Sequence, residues 1–247
     1  MLGKTQANAQ ADARKTFVLI HGAYHGGWCW RRTADILESH GHKVYAPSLT
    51  GNGDRSHLMS TAITLDTQIA DIVNLIMWED LHDICLVAHS FGGWPVSGAL
   101  EMIHDRVGAL VLIDAFKPAD GERGIDLVSA HSRHAMQKAV ARGEPGRAPP
   151  PAKLFAANEK DHAWIASKLT AQPNGVAMQP IRLTGKRETV AKKLYIRAPQ
   201  YPQAAFDRAL AECRADPGWQ VKINETSGHN IMTDQPEWLA GMLLEAA

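Results

Sequence analysis

An α/β fold built on a mostly parallel sheet, with helices on both faces, is predicted by three features of the sequence. Short apolar runs alternate with helical periodicity along most of the chain. One run, Ile84–Ala88, is apolar throughout, as expected of a strand buried on both faces. Polar residues able to do chemistry fall at the ends of such runs, where parallel sheets place their sites. With 247 residues the chain can bury one sizeable core without covalent staples.

Taken in order, Met1 to Lys15 is polar and Ala/Gln-rich, with no apolar stretch, and reads as a disordered leader. Thr16 to Ile20 is a buried strand that runs into His21-Gly22-Ala23. Helical periodicity follows over Trp28–His40, then a strand over Lys43–Pro47 and a Gly-rich loop, Ser48 to His57. Ile69, Ile72, Val73 and Ile76 share one face of a helix predicted over Leu65–Trp78. The strand Ile84–Ala88 leads into a helix from Phe91 to about His104, and Ala109–Ile113 is a further strand ending on Asp114.

The rhythm breaks after Pro118. From Ala119 to Lys186 the chain is punctuated by Gly and Pro, most densely over Gly143–Pro151, with short helical patterns around Leu127–Arg142 and Ala152–Leu169. This stretch is expected to be a small lid over the carboxyl edge of the sheet, between the strand ending at Asp114 and the one starting near Lys193. Alternation then resumes with strand Lys193–Ile196, helix Ala204–Ala215, strand Gln220–Asn224 and helix Pro236–Ala246. The resulting division is a leader (1–15), a core (16–118 and 187–247) and a lid insertion (119–186).

Charge excludes several classes of partner. There are 26 basic and 26 acidic residues, so nothing favours nucleic acid or an anionic membrane. No apolar run approaches a membrane span. Three cysteines at wide spacing, one of them inside the buried strand, read as reduced thiols of a cytoplasmic protein.

Ala88-His89-Ser90-Phe91-Gly92 is a variant of the G-x-S-x-G nucleophile elbow. A strand turning sharply into a helix crowds the residues two before and two after the serine, so Ala88 and Gly92 must be small. Ser90 is left projecting, and the following helix aims its first amides at a developing oxyanion. A serine hydroxyl needs an adjacent base. Among twelve histidines, His229 stands out because it follows the last strand and precedes the closing helix. His89 should point away from Ser90 if strand alternation holds, and is read as structural.

The order Ser90, Asp114, His229, each at a strand end, resembles the α/β-hydrolase superfamily, and the likeness extends over nearly everything from Thr16 on. Many members carry the acid after the strand placed here at Lys193–Ile196, where this chain has no carboxylate before Asp207. Asp114 lies at the other place the superfamily uses and is preferred; Asp207 remains the alternative. The resemblance also implies an oxyanion hole made by the backbone amides of Ala23 and Phe91.

His21-Gly22-Ala23-Tyr24-His25-Gly26-Gly27-Trp28-Cys29-Trp30 is similar to the branch that holds plant hydroxynitrile lyases, plant methylesterases and related bacterial carboxylesterases. Bacterial members resemble this chain in the loop Leu49–Leu58, in Leu112–Pro118 and in lacking the later acid. The cyanohydrin-cleaving lyases carry threonine where this chain has Gly22, and lysine where it has Asn230. Asp54 and Arg55 are expected to pair and brace their loop, while Tyr24, His25 and Trp28 read as packing residues.

The expectation is therefore a serine hydrolase acting on a small, apolar carboxylic ester, with no cofactor and no metal. The rival readings are a cyanohydrin lyase using the same triad as base, and a non-catalytic small-ligand receptor. The expected partner is the small-molecule ester alone; a homodimer is compatible with the sequence. Met136, Leu154, Phe155, Trp164 and Met178 of the lid could line the pocket. His131, His134, Asp161 and His162 are too irregularly spaced for a metal site and read as solvated.

Overall fold

The computed structural model describes residues 14–247, so the leader lies outside them except for its last two residues. Its strands are β1 (Thr16–Ile20), β2 (Lys43–Tyr45), β3 (Ile84–His89), β4 (Val107–Ile113), β5 (Gly146–Arg147), β6 (Gln172–Pro173), β7 (Lys192–Arg197) and β8 (Gln220–Ile223). The α-helices are α1 (Arg31–Ser39), α2 (Leu65–Trp78), α3 (Gly93–Ile103), α4 (Ala130–Ala141), α5 (His162–Lys168), α6 (Gly175–Met178), α7 (Ala204–Ala215), α8 (Ile231–Asp234) and α9 (Pro236–Ala246). Six strands form one sheet in the order β2-β1-β3-β4-β7-β8, and every pairing in it is parallel.

Alternation along the strands divides the core into two layers. Val18, Ile20, Leu86, Ala88, Leu110 and Leu112 pack with residues of α2, α3 and α7 on one face. Phe17, Leu19, Cys85, Val87, Val111 and Ile113 pack with α1 and α9 on the other. Both faces are covered, so the inner strands read as continuous apolar runs instead of alternating ones. Helix starts follow local chemistry. Thr64 and Thr67 form a reciprocal cap at the start of α2, and Pro236 opens α9 where its missing N–H costs nothing. The cysteines Cys29, Cys85 and Cys213 are all buried and unbridged.

From β1 the chain crosses to β2 on one side and then to β3 on the other. The loops after β1 and β3 thus diverge, and this switch point opens a crevice at the carboxyl edge. Residues 119–186 contribute Gly124, Val128, Met136, Arg147, Phe155 and Ala177 to the wall of the cavity at that edge. They contain α4, α5, α6 and the antiparallel β5–β6 ribbon, and the helical pattern over Ala152–Leu169 resolves into single turns plus the short α5.

This stretch is hydrogen-bonded to the loops that follow β1 and β8. Tyr24 N–H donates to Gln172 Oε1 at 3.0 Å, and Thr170 N–H donates to Tyr24 O at 2.9 Å. At the far loop, Asn230 N–H donates to Phe155 O at 2.8 Å.

Two expected pairings change. Arg55 does not pair with Asp54. Its Nη1 lies 3.0 Å from Asp71 Oδ1 on α2, and the same carboxylate accepts from Thr50 N and Oγ1. The loop is braced as expected, but by a different acid, because consecutive side chains on the 3₁₀ turn Gly53–Leu58 do not face each other. Asp161 is not solvated: it takes a two-pronged bond from Arg32, both contacts at 2.7 Å. Among the described residues, no group of three His, Cys, Asp or Glu is placed to hold a metal ion, and no helix is long and apolar enough to cross a membrane.

Candidate active site

β3 ends at His89, and Ser90 takes φ +54°, in the left-handed region that costs an L-residue about 1–2 kcal/mol. The turn is held from both sides. Phe116 N–H donates to Ser90 O at 3.1 Å, and a Cβ on Gly92 would come within 2.7 Å of His21 O. The same crowding applies at Gly22, where an added Cβ would lie 2.7 Å from Ser90 Cβ. Small residues at these positions are a steric requirement of the turn. The helix begins differently from expectation: Ser90–Gly92 is a 3₁₀ turn, and α3 starts at Gly93. Ala23, Ser90, Phe91 and His229 all line one cavity.

Asp114 sits just past β4, at φ +43°, and Oδ2 lies 2.6 Å from His229 Nδ1. The His229 ring stacks on Tyr201 at 4.2 Å between centroids, and His89 Nε2 donates to His229 O at 3.0 Å. The aspartate is itself held by a residue that sequence reasoning missed. Arg197, 2% exposed, donates from Nη1 to Asp114 Oδ1 at 2.5 Å, and the Ala198 amide donates to the same oxygen at 3.1 Å. Nε and Nη2 of Arg197 reach Asp207 Oδ1 at 3.0 and 2.9 Å. The β4–β7 register, Ile113 opposite Ile196, sets Asp114 beside Arg197. The signal in the sequence was an arginine closing an apolar strand, but its partner depends on a pairing register that the sequence does not reveal. Asp207, the alternative acid, faces Arg197 and is largely exposed.

Three buried histidines surround the site in neutral form. Burial pulls His21 down to about 4 and His25 down to about 3, and it lowers His89 far below its ordinary value, with the neighbouring His229 adding to the effect. Hydrogen bonds fix the first two tautomers. His21 Nδ1 donates to Gly22 O at 2.7 Å while Nε2 accepts from Leu49 N–H at 3.0 Å. His25 Nδ1 donates to Ala23 O at 2.8 Å while Nε2 accepts from Asn230 Nδ2 at 3.0 Å. His25 thereby ties the Ala23 loop to the residue after His229.

These histidines make stability depend on pH with a definite sign. They bind protons less readily folded than unfolded, so their contribution is complete above the unfolded value near 6.5. It is lost as pH falls from there toward 4, at up to about 1.4 kcal/mol per pH unit per histidine. Urea midpoints should hold from pH 7.5 to about 6.5 and fall from there to 4.5, and His25→Gln should show a shallower slope. A midpoint that holds steady over the whole range would contradict this.

The cavity measures about 150 Å³, and Phe91, Phe116, Val128, Met136, Phe155 and Phe206 give it a largely apolar wall. Of the lid residues expected there, Met136 and Phe155 line it, whereas Leu154 is exposed and Trp164 packs edge-on against Trp28. Tyr24 and His25 also line it, so they are more than packing residues; Trp28 stacks on His25 outside it. Arg147 of β5 reaches the same cavity from the lid.

A parallel sheet with a strained serine turn at its switch point, facing a histidine–aspartate pair from later strand ends, defines a hydrolase scaffold. Residues 17–242 match the model of the alpha/beta hydrolase family. A carbendazim-hydrolyzing esterase from a Nocardioides species is 35% identical over 92% of this chain and 97% of that protein. A putative chloroplastic methylesterase (number 13) of Arabidopsis thaliana is 26% identical over 99% of this chain and 59% of its own length. Among solved structures, an extracellular alpha/beta-hydrolase from a Paenibacillus species superposes with TM-score 0.81 at 23% identity, over 94% of this chain and 99% of that one. A pyrethroid hydrolase from Sphingobium faniae gives 0.71 at 22% identity, over 94% and 97%. The chain belongs to the alpha/beta hydrolase family.

Proposed function

We propose that this carboxylic ester hydrolase works through an acyl-enzyme on Ser90, and that its substrate is a small ester with an apolar body. The observation that carries the proposal is the 2.6 Å contact of His229 Nδ1 with the buried Asp114, on a ring that shares its cavity with the strained Ser90. With Nδ1–H held by the carboxylate, Nε2 is the basic nitrogen. It takes the Ser90 proton as Oγ bonds to the ester carbon. The carbonyl oxygen gains the charge and is met by the amides of Ala23 and Phe91. On collapse the C–O bond to the alcohol breaks, and the alcohol departs with the proton from His229. Water then repeats the sequence on the acyl-enzyme and frees the acid and Ser90. Asp114 holds the imidazole in this orientation and is itself held by Arg197. The apolar wall and modest volume of the cavity support a small, weakly polar substrate.

Treatment with a fluorophosphonate tests this directly. Peptide mass analysis should find the phosphonyl group on Ser90, and a nitrophenyl ester should give a burst of nitrophenol matching the enzyme concentration. Absence of both, with folded protein, would leave a receptor. The residues that separate lyases from esterases in the resembling branch are Gly22 and the buried, neutral Asn230 here. Cyanide release from mandelonitrile should therefore stay at the buffer rate; efficient enantioselective release would overturn the esterase reading.

A further inference from the structure

Among the described residues, Arg147 is the one arginine or lysine in the wall of the cavity, and none of their carboxylates pairs with it. It projects from β5, whose register sets it opposite Gln172 of β6. Nε donates to Tyr24 Oη at 2.9 Å, and the guanidinium lies over the Tyr24 ring at 5.4 Å. Nη1 is buried and has no hydrogen-bond partner, and among the described residues no carboxylate lies within ion-pair distance of the group. A buried guanidinium N–H without an acceptor costs roughly 1–3 kcal/mol. The other large arginine clusters avoid that cost: Arg32, Arg187 and Arg197 each bond a carboxylate.

The surroundings hold Arg147 in place. Tyr24, at φ +67°, is bonded through its own N–H to Gln172 and through its carbonyl to Thr170. Of the two residues that pin Tyr24, Gln172 is the one opposite Arg147 in β6 and Thr170 lies two positions before it, and Tyr24 follows Ala23 directly. The cation is therefore fixed relative to the loop that faces Ser90, in a wall whose other side chains are mainly aromatic and aliphatic, with Gln203 and the Ser90–His229 centre as the polar exceptions.

We infer that Arg147 is a substrate-recognition residue, and that the ester taken by this cavity carries an anionic oxygen group, a carboxylate in the simplest case, away from the scissile carbonyl. An acceptor reaching the buried Nη1 would satisfy the orphaned donor and pair the half-buried guanidinium together, a bond roughly twice as strong as one between neutral groups. The apolar wall would hold the carbon chain between the two polar ends. This inference rests on the hydrolase reading of the site and narrows its substrate class to half-esters of dicarboxylic acids or esters of hydroxy acids.

The test compares two anionic probes with neutral ones of similar length. Monomethyl glutarate carries its charge on the acyl side and 3-acetoxypropanoate on the alcohol side; methyl pentanoate and propyl acetate are the neutral partners. Wild type should favour at least one anionic probe by about tenfold or more in kcat/KM, mainly through KM. Arg147→Met should abolish that preference, bringing the anionic-to-neutral ratio of kcat/KM to about one. Arg147→Lys should recover part of it, and Tyr24→Phe, which removes only the Nε partner, should largely retain it. Equal loss on charged and neutral esters in Arg147→Met would mean that the arginine merely props the loop, and would overturn the inference. So would wild-type indifference to charge while phenyl acetate is still hydrolysed in a Ser90-dependent way. If no ester is turned over at all, the hydrolase reading itself fails, and the inference with it.

Discussion

Ser90→Ala should fold and lose about 10³-fold or more in kcat/KM toward a nitrophenyl ester. What survives is the residual rate that the oxyanion amides and binding supply without a nucleophile. The substitution is mild for the scaffold, since alanine also carries a Cβ and the steric cost of φ +54° is unchanged. Loss of activity with an unchanged melting temperature therefore separates chemistry from folding. Ser90→Gly sharpens the point. It should lose activity equally yet gain up to about 1 kcal/mol, because glycine relieves the left-handed strain. Ester turnover by folded Ser90→Ala at the wild-type rate would remove Ser90 from the mechanism, and among the described residues no other serine has a positive φ.

How much of this was legible depended on how local the cause was. Helices α2, α7 and α9 start and stop where their caps and periodicity put them. Thr64, Gln203 and Pro236 act within a few residues of themselves. Strand identity was legible from the apolar run at Ile84–Ala88, because burial on both faces leaves no other pattern. The elbow was legible because the steric demand at Ala88 and Gly92 is written into neighbouring positions. Pairings across the fold were not. Arg32 meets Asp161, Arg147 meets Tyr24, and Arg197 meets Asp114 from segments far apart in sequence. Each depends on sheet register or on where the insertion lands. Asp54–Arg55 failed for the opposite reason: adjacency in sequence suggested a pair that the geometry of a 3₁₀ turn keeps apart.

The same long-range pairing sets the expectation for the acid. Asp114→Asn should cost up to about 10⁴-fold in kcat, by analogy with the aspartate-to-asparagine change in serine proteases, because an amide facing Nδ1 can select the wrong imidazole tautomer. Arg197 adds a stability cost that the sequence alone would not suggest. With Asp114 neutral, its guanidinium keeps only the exposed Asp207, Ala198 O and Tyr201 O. Breaking one half of a buried ion pair costs about 3 kcal/mol. Activity must therefore be referred to the folded fraction. Asp207→Asn keeps an acceptor for Arg197 at the surface and leaves the 2.6 Å contact at His229 intact. Its activity should stay within about threefold of wild type. Arg197→Met probes the intermediate step: with Asp114 still present but less firmly held, kcat should fall by roughly tenfold, well short of the loss in Asp114→Asn. If Asp207→Asn were crippled while Asp114→Asn kept its activity, the acid would be Asp207. The short contact between Asp114 and His229 would then be structural.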